Sequence, residues 1–313
     1  MAHAHGHDHG GGGHGHDHAI SADADRRRLG IALGLILGFM AVEVAVGIAA
    51  HSLALLSDAA HMLTDAAAIG LALVAIALAR RPAHGAFTFG LRRAEILSAQ
   101  VNGATLLVLG VLVVVEGVRR LIDPPDVHGA AVLVVALVGI AVNLAATWQI
   151  ARANRQSLNV EGAYQHLLTD LLAFVATAIA GAVVLMTGFR QADGLAALFV
   201  AVTMLRAAYL LLRESGRIFL EAAPRGMDVE EIGLALAGAE GVVEVHDLHV
   251  WEVSSGFPAL AAHVVVGRDC DCHEGRRRLE ALLHDRFGIA HTTLQMDHEG
   301  GHLLQLGEPR GDG

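Results

Sequence analysis

Apolar residues dominate the first two thirds of the chain, in stretches separated by short polar or arginine-bearing segments. A helix needs about 20 mostly apolar residues to cross the hydrocarbon layer of a bilayer. Six stretches reach that length, so the pattern predicts six membrane-spanning helices. Their expected bounds are roughly 29–50, 53–79, 94–118, 129–151, 162–188 and 192–212.

The pattern changes after Pro224, where long apolar stretches give way to shorter periodic segments. Two of them, "VEEIGLALAGAEG" and "CHEGRRRLEALLHDRFG", have helical character, whereas "VVEVHDLHVWEV", "ALAAHVVVG" and "TTLQMD" read as strands. This αββαβ order predicts a small α+β domain with its helices on one face of a sheet.

The predicted fold class is therefore a mostly α integral membrane protein, a six-helix bundle followed by a cytoplasmic α+β domain. The expected domains are a flexible tail at 1–25, the transmembrane domain at 26–213, the cytoplasmic domain at 214–303 and a disordered C-terminus at 304–313. Composition agrees, because 54% of the residues are hydrophobic and the mean hydropathy is +0.50. A net charge of −10 argues against nucleic acid as a partner.

The distribution of arginines along the chain predicts how the protein is oriented in the membrane. An even number of spans puts both termini on one side, and cytoplasmic segments carry the excess of basic residues. The terminal side carries Arg26, Arg27, Arg28, Arg80, Arg81, Arg92, Arg93, Arg152, Arg155, Arg213 and Arg217, and the opposite side only Arg119, Arg120 and Arg190. We therefore expect a multi-pass protein of the inner (plasma) membrane with both termini in the cytoplasm.

Two predicted spans each carry a histidine and an aspartate four residues apart. The second span has His61 and Asp65 in "HMLTD", and the fifth has His166 and Asp170 in "HLLTD". Four helical residues turn about 400°, so each pair shares one helix face. Charged groups at the bilayer centre cost about 2.5–3.5 kcal/mol each on insertion scales and mark functional sites.

Packed together, the two faces would offer two imidazoles and two carboxylates to one ion. This set suits a tetrahedral divalent metal, above all Zn²⁺, and also accepts Co²⁺, Cd²⁺ or Ni²⁺. The absence of thiolates favours the reversible binding that transport needs. Asp58, one turn before His61, is an accessory candidate; it could equally line a water-filled path or anchor the start of the helix.

The first 20 residues alternate histidine with glycine, aspartate and alanine and lack the features of a signal peptide. Glycine spacers and low complexity predict a flexible tail, which we interpret as gathering metal ions. A purification tag is the alternative, but tags are usually uninterrupted histidine runs. The tail histidines are His3, His5, His7, His9, His14, His16 and His18.

With these motifs the chain resembles the cation diffusion facilitator family, of the zinc-transporter type with HxxxD on both helices. The resemblance rests on "SDAAHMLTDA", "FTFGLRRAE", "HLLTD", "VHDLHVWEV" and "TTLQMD", which cover nearly the whole chain. It implies a homodimeric antiporter that exports Zn²⁺ from the cytoplasm against inward H⁺. It also implies that the C-terminal domain is ferredoxin-like.

Further site residues are implied by the same resemblance. Regulatory zinc would be bound in the cytoplasm by His246, His263, His273 and Asp297, while Gln295 stands where some relatives have histidine. Arg93 and Glu221 match a charge pair between subunits. In "FTFGLRRAE", Phe87 and Leu91 replace the histidines of a further loop site, so we expect that site to be absent.

The segment "CDCH" suggests an accessory soft-metal cluster of Cys270, Cys272 and His273, and His291 is a further accessory candidate; a pair of exposed thiols is an equally plausible alternative. Strand alternation predicts that His249 faces away from His246 and is structural.

Two other classes of protein compete with a transporter. An intramembrane metalloenzyme would need clustered HxxxH, HxxHH or HExxH boxes, which the sequence lacks. A membrane-anchored metal sensor or storage protein would leave the four predicted ligands within the membrane without a role.

Overall fold

Eight helices and three strands make up the part of the chain that the computed structural model describes, residues 15–49, 53–123, 129–155 and 157–300. The six long helices are α1 (Gly15–Ala49), α2 (Leu53–Ala79), α3 (Ala94–Ile122), α4 (Gly129–Ala151), α5 (Leu158–Thr187) and α6 (Gln191–Phe219). The later elements are α7 (Val229–Ala237), β1 (Val242–Ser254), β2 (Phe257–Val266), α8 (Cys272–Phe287) and β3 (His291–His298). The chain divides into two compact units at Gly216 and Arg217.

The six long helices correspond to the six predicted spans, but α1 is longer than expected. It begins at Gly15 rather than near residue 29, so His16 and His18 of the predicted flexible tail lie on a helix. The other tail histidines, His3, His5, His7, His9 and His14, lie outside the described residues, as do residues 304–313.

Four helices among the described residues are long and apolar enough to cross a membrane, and α4 adds a shorter apolar segment, Leu137–Ala151. The four segments are Met62–Ala79, Ala94–Ile122, Leu158–Thr187 and Gln191–Phe219. Large apolar side chains such as Val108, Leu112 and Val115 stand exposed on α3, which suits a lipid-facing surface. The order of the elements, six long helices followed by an α+β domain, agrees with the predicted fold class.

Leucines of α6 pack against a row of glycines on α3. A Cβ placed at Gly110 would lie 2.9 Å from Cδ2 of Leu205, too close for two carbon atoms. The three pairs, each spaced by seven residues and running in opposite directions, are Gly103 with Leu212, Gly110 with Leu205, and Gly117 with Leu198. Small residues let membrane helices approach closely, so this row fixes an antiparallel α3–α6 pair.

Replacing Gly110 by leucine is therefore expected to destabilise the membrane domain, by about 1–3 kcal/mol for overpacking. Gly34→Leu on α1 is the matched control, because among the described residues no atom lies within 4 Å of a Cβ at Gly34. Thermal unfolding of the two detergent-solubilised variants measures the difference. Equal midpoints for both would contradict the packing described here.

The second compact unit, which begins at Arg217 and corresponds to the predicted cytoplasmic domain, is called the cytoplasmic unit, and the first is called the membrane unit. The cytoplasmic unit contains a three-stranded sheet in the order β1-β2-β3. β1 and β2 form an antiparallel hairpin, whose turn is completed by Gly256 at a φ of 73°, and β3 returns through α8 to lie parallel to β2. Side chains of both helices, including Leu236 of α7 and Leu283 of α8, pack in one core with Leu260 and Val264 of β2. The helices thus share one face of the sheet, and the other face holds the polar residues considered below.

Candidate metal centre

Three of the four predicted transport ligands lie buried inside the membrane unit. Asp65 of α2 is 4% exposed, and His166 and Asp170 of α5 are 1% and 4% exposed. Because His166 and Asp170 stand one helical turn apart, α5 presents both to the same neighbour. The apolar core around them includes Met62, Ala66 and Leu167, and the packing of α2 against α5 brings Asp65 to this face.

The donor atoms of these three residues converge. Nε2 of His166 lies 2.8 Å from Oδ1 of Asp65 and 4.0 Å from Oδ2 of Asp170. One ligand atom from each residue lies within 4.8 Å of the other two. Ligands about 2.0–2.2 Å from one zinc ion would be spaced by about 3.3–3.6 Å in a tetrahedron, so small side-chain movements suffice to surround an ion.

The ring orientation of His166 agrees with a ligand role for Nε2. Nδ1 is buried and has no hydrogen-bond partner within the described part of the chain, whereas Nε2 faces both carboxylates. Buried carboxylates are costly unless a cation or a proton neutralises them. The arrangement therefore favours occupation by either a metal ion or protons.

The other two predicted residues of this region lie in α2, and their side chains lie outside the described residues. His61 stands one turn before Asp65 on the helix, and Asp58 almost one turn earlier. The fourth transport ligand and the accessory role of Asp58 stay predictions.

Asn159 was missed by the sequence reasoning. Its buried side-chain amide donates a 2.9 Å hydrogen bond to the carbonyl oxygen of Ala72, and this bond ties the start of α5 to α2. Asn159 lies seven residues before His166, and Ala72 lies seven residues after Asp65, about 10 Å along each helix. The bond therefore holds together the two helices that carry the ligands. The sequence feature that could have indicated this role is an amide side chain at the start of an apolar stretch.

In the cytoplasmic unit, the structure groups His246, Asp247 and His263. His246 and His263 are paired across β1 and β2 with ring centroids 5.3 Å apart, and Nδ1 of His263 lies 3.9 Å from Oδ2 of Asp247. Ligand atoms of all three residues lie within 4.8 Å of one another. The site is open to solvent, in contrast to the buried membrane site.

A β-bulge brings Asp247 into this group. Asp247 has a φ of 49°, a left-handed conformation that aspartate tolerates better than most residues. His246 pairs with His263 and His249 pairs with Ala261, so an interval of three residues on β1 lies opposite an interval of two residues on β2. The alternation-based prediction for His249 is therefore wrong, because the extra residue returns His249 to the same sheet face as His246.

The other two predicted regulatory ligands are His273 and Asp297. Among the described residues, neither belongs to the group of converging ligand atoms. Asp297 pairs with Val265, and Gln295, which donates to Asp297 at 3.1 Å, pairs with His263. His273 is exposed in the first turn of α8. The ligand roles of His273 and Asp297 stay predictions.

The accessory cluster differs from the expected one. Sγ of Cys272 lies next to the ring of His298, whereas His291 begins β3 at its other end and packs against Phe257. Cys270 and Cys272 are both free thiols. Seven residues of strand separate His291 from His298 by about 23 Å, so His291 cannot share an ion with Cys272.

Arg93 and Glu221 belong to different units of the chain. Arg93 immediately precedes α3, and Glu221 has a φ of 55° just after α6. Their predicted role between subunits stays a prediction.

Comparison with known proteins identifies the family. The family described as "Cation efflux transmembrane domain" matches residues 29–220, and "Cation efflux protein, cytoplasmic domain" matches residues 224–299. The chain belongs to the cation efflux family. Its members are transporters, which confirms the predicted relationship and removes the support for an intramembrane enzyme.

Several curated relatives align over most of their length. The chain is 36% identical to the "Cadmium, cobalt and zinc/H(+)-K(+) antiporter" of Bacillus subtilis, over 86% of this chain and 88% of the relative. It is 38% identical to the "Metal cation efflux system protein CzcD" of Cupriavidus metallidurans, over 87% and 86%. The "Zinc transporter ZitB" of Escherichia coli is 37% identical over 88% of each chain.

A solved structure, the "Metal-bound C-terminal domain of the CzcD transporter from Cuprividus metallidurans", is 32% identical to this chain. The match covers 23% of this chain and 99% of that one, with a TM-score of 0.22.

Proposed function

We propose that this member of the cation efflux family exports Zn²⁺ from the cytoplasm in exchange for H⁺. The observation that carries the proposal is the convergence of Asp65, His166 and Asp170 in an apolar, buried environment. Two carboxylates offset the charge of a divalent ion, and imidazole nitrogen favours zinc over Mg²⁺ or Ca²⁺. His61 supplies the fourth ligand.

Exchange follows from competition for the same atoms. Zinc binds only when the imidazoles are neutral and the carboxylates are ionised, so a bound proton and a bound ion exclude each other. A site that faces the cytoplasm and the outside in turn loads zinc on one side and releases it when protons arrive on the other. The Bacillus subtilis relative, whose name includes zinc and H⁺, supports this exchange.

Membrane position and assembly complete the proposal. The protein resides in the inner (plasma) membrane with both termini in the cytoplasm, as its arginine distribution suggests. It acts as a homodimer, with Arg93 and Glu221 as a charge pair between subunits. The histidine-rich N-terminal tail raises the local metal concentration at the cytoplasmic mouth.

Metal binding in the cytoplasmic unit is proposed to be regulatory. His246, Asp247 and His263 offer three donors on an exposed sheet face, and His273 and Asp297, which were predicted together with His246 and His263, are proposed as further ligands. Because the site is open to solvent, it exchanges ions with the cytoplasm. Bound zinc would stabilise one arrangement of this domain by mass action.

Growth of a zinc-sensitive host tests the function. Cells that carry this gene are expected to tolerate more Zn²⁺ than cells with an empty vector and to contain less of it. Repeating the assay with Cd²⁺, Co²⁺ and Ni²⁺ measures selectivity, since histidine and aspartate ligands accept all four ions. Unchanged tolerance and unchanged cell content for every metal would refute the proposal.

A further inference from the structure

Cys272 and His298 meet where α8 begins and β3 ends. Sγ of Cys272, in the first residue of α8, lies 3.5 Å from Nε2 and 3.6 Å from Nδ1 of His298. His298 is exposed and Cys272 is half-buried, so an ion in solution can reach both. This pair lies outside the group formed by His246, Asp247 and His263.

A backbone hydrogen bond selects the tautomer of His298. Nε2 lies 3.0 Å from the carbonyl oxygen of Cys270, and a carbonyl can only accept a hydrogen bond. In the neutral ring Nε2 therefore carries the proton, and Nδ1 keeps its lone pair. Histidines that bind metals are commonly held in this way, with the second ring nitrogen donating to a carbonyl or carboxylate.

The spacing of the two donors suits one tetrahedral ion. With Zn–S about 2.3 Å and Zn–N about 2.0–2.1 Å, a tetrahedral angle separates sulfur from nitrogen by about 3.5–3.6 Å. The observed distance from Sγ to Nδ1 is 3.6 Å. Because Sγ lies almost equally far from Nδ1 and Nε2, the ring of His298 has to turn before the Nδ1 lone pair points to an ion beside Sγ.

The start of α8 is held in place by its cap. The carboxylate of Asp271 accepts hydrogen bonds from the backbone N–H groups of His273, at 2.8 Å, and Glu274, at 3.2 Å. This cap fixes the backbone on either side of Cys272. The position of the thiol is thus set by the helix rather than by a free loop.

Cys270 has a different role. Its Sγ lies 3.1 Å from the position of a Cβ on Gly241 and 3.7 Å from that on Gly275, so the sulfur packs beside two glycines. Cys270 contributes its carbonyl oxygen to His298 rather than its sulfur to an ion. This makes Cys270 a matched control for Cys272.

We propose that Cys272 and His298 form a second cytoplasmic metal site, which binds a thiophilic divalent ion such as Zn²⁺, Co²⁺ or Cd²⁺. The thiolate of Cys272 and Nδ1 of His298 are its two protein ligands, the thiol proton leaves to solvent, and water fills the other positions. Two protein ligands make binding weaker than at a closed four-ligand site. The bound ion joins the start of α8 to the end of β3.

Cobalt titration of the purified full-length protein tests the site, because a thiolate bound to Co²⁺ has a charge-transfer absorption band. The only thiols of the chain are Cys270 and Cys272, and the membrane site contains none, so the band reports cobalt bound at one of these two thiols, and the variants show which. Cys270→Ala and His291→Ala should retain the band. Cys272→Ala should lose it, and His298→Ala should weaken cobalt binding by at least about tenfold.

Alkylation with mass spectrometry supplies a second readout. Zn²⁺ should slow modification of Cys272 in the wild type, and this protection should disappear in His298→Ala. A band that survives in Cys272→Ala, or equal cobalt affinity in wild type and His298→Ala, would overturn the proposal. All four variants should export zinc normally, so a failure of this site is distinguishable from a failure of the proposed transport function.

Discussion

Replacing Asp170 by asparagine is expected to lower zinc export by at least about 100-fold, since even indirect supports of metal ligands cost 10–100-fold in affinity. Asparagine has nearly the same shape as aspartate but no negative charge. The ion would keep the imidazoles and Asp65 but lose one of two compensating charges in a buried site. Zinc uptake into inverted vesicles and zinc binding to the purified protein should fall together.

Stability separates this effect from misfolding. The carboxylates of Asp65 and Asp170 are buried near each other, so neutralising one should leave thermal stability unchanged or higher when metal is absent. Asp123→Asn, at the exposed end of α3, makes the same chemical change outside the site and should transport normally. Wild-type uptake by Asp170→Asn would refute the assignment of the ligand.

The convergence of Asp65, His166 and Asp170 was predictable because its signal is local. Two HxxxD motifs at helical spacing in apolar stretches specify which face of each helix carries the donors, and α2 and α5 indeed meet at Asp65, His166 and Asp170. The αββαβ domain was predictable for the same reason, since its periodicity changes at each element boundary. Position along one helix or one strand is enough for such inferences.

What the sequence did not reveal depends on contacts between distant segments. Asp247 joins the cytoplasmic group through a β-bulge, which strict alternation cannot anticipate. His298 rather than His291 meets Cys272, because the parallel register of β3 puts the end of that strand beside the start of α8. The pairing of Gly110 with Leu205 likewise requires knowing that α3 packs against α6.

Zinc uptake into inverted vesicles is expected to move protons out of the lumen. In such vesicles the cytoplasmic face is outside, so exported zinc accumulates within. The site holds either the ion or protons, because both bind the same carboxylates and imidazoles. Adding zinc to vesicles with an acidic lumen should therefore raise the lumenal pH, which a trapped pH-sensitive dye measures, and a protonophore should abolish the accumulation of zinc.

Two controls make the coupling specific to the site. Asp170→Asn vesicles should show neither the zinc uptake nor the zinc-dependent rise in lumenal pH, whereas Asp123→Asn vesicles should show both. Wild-type vesicles prepared without K⁺ should behave like wild-type vesicles prepared with K⁺. This comparison separates exchange for H⁺ from exchange for K⁺, the second ion in the name of the Bacillus subtilis relative. Zinc uptake that requires K⁺ and leaves the lumenal pH unchanged would contradict proton exchange but not the buried ligand site.

Competition between zinc and protons also fixes the direction of the pH effect. Protons occupy the ligand atoms more fully as the pH falls, so the affinity for zinc on the cytoplasmic side should decrease with acidification.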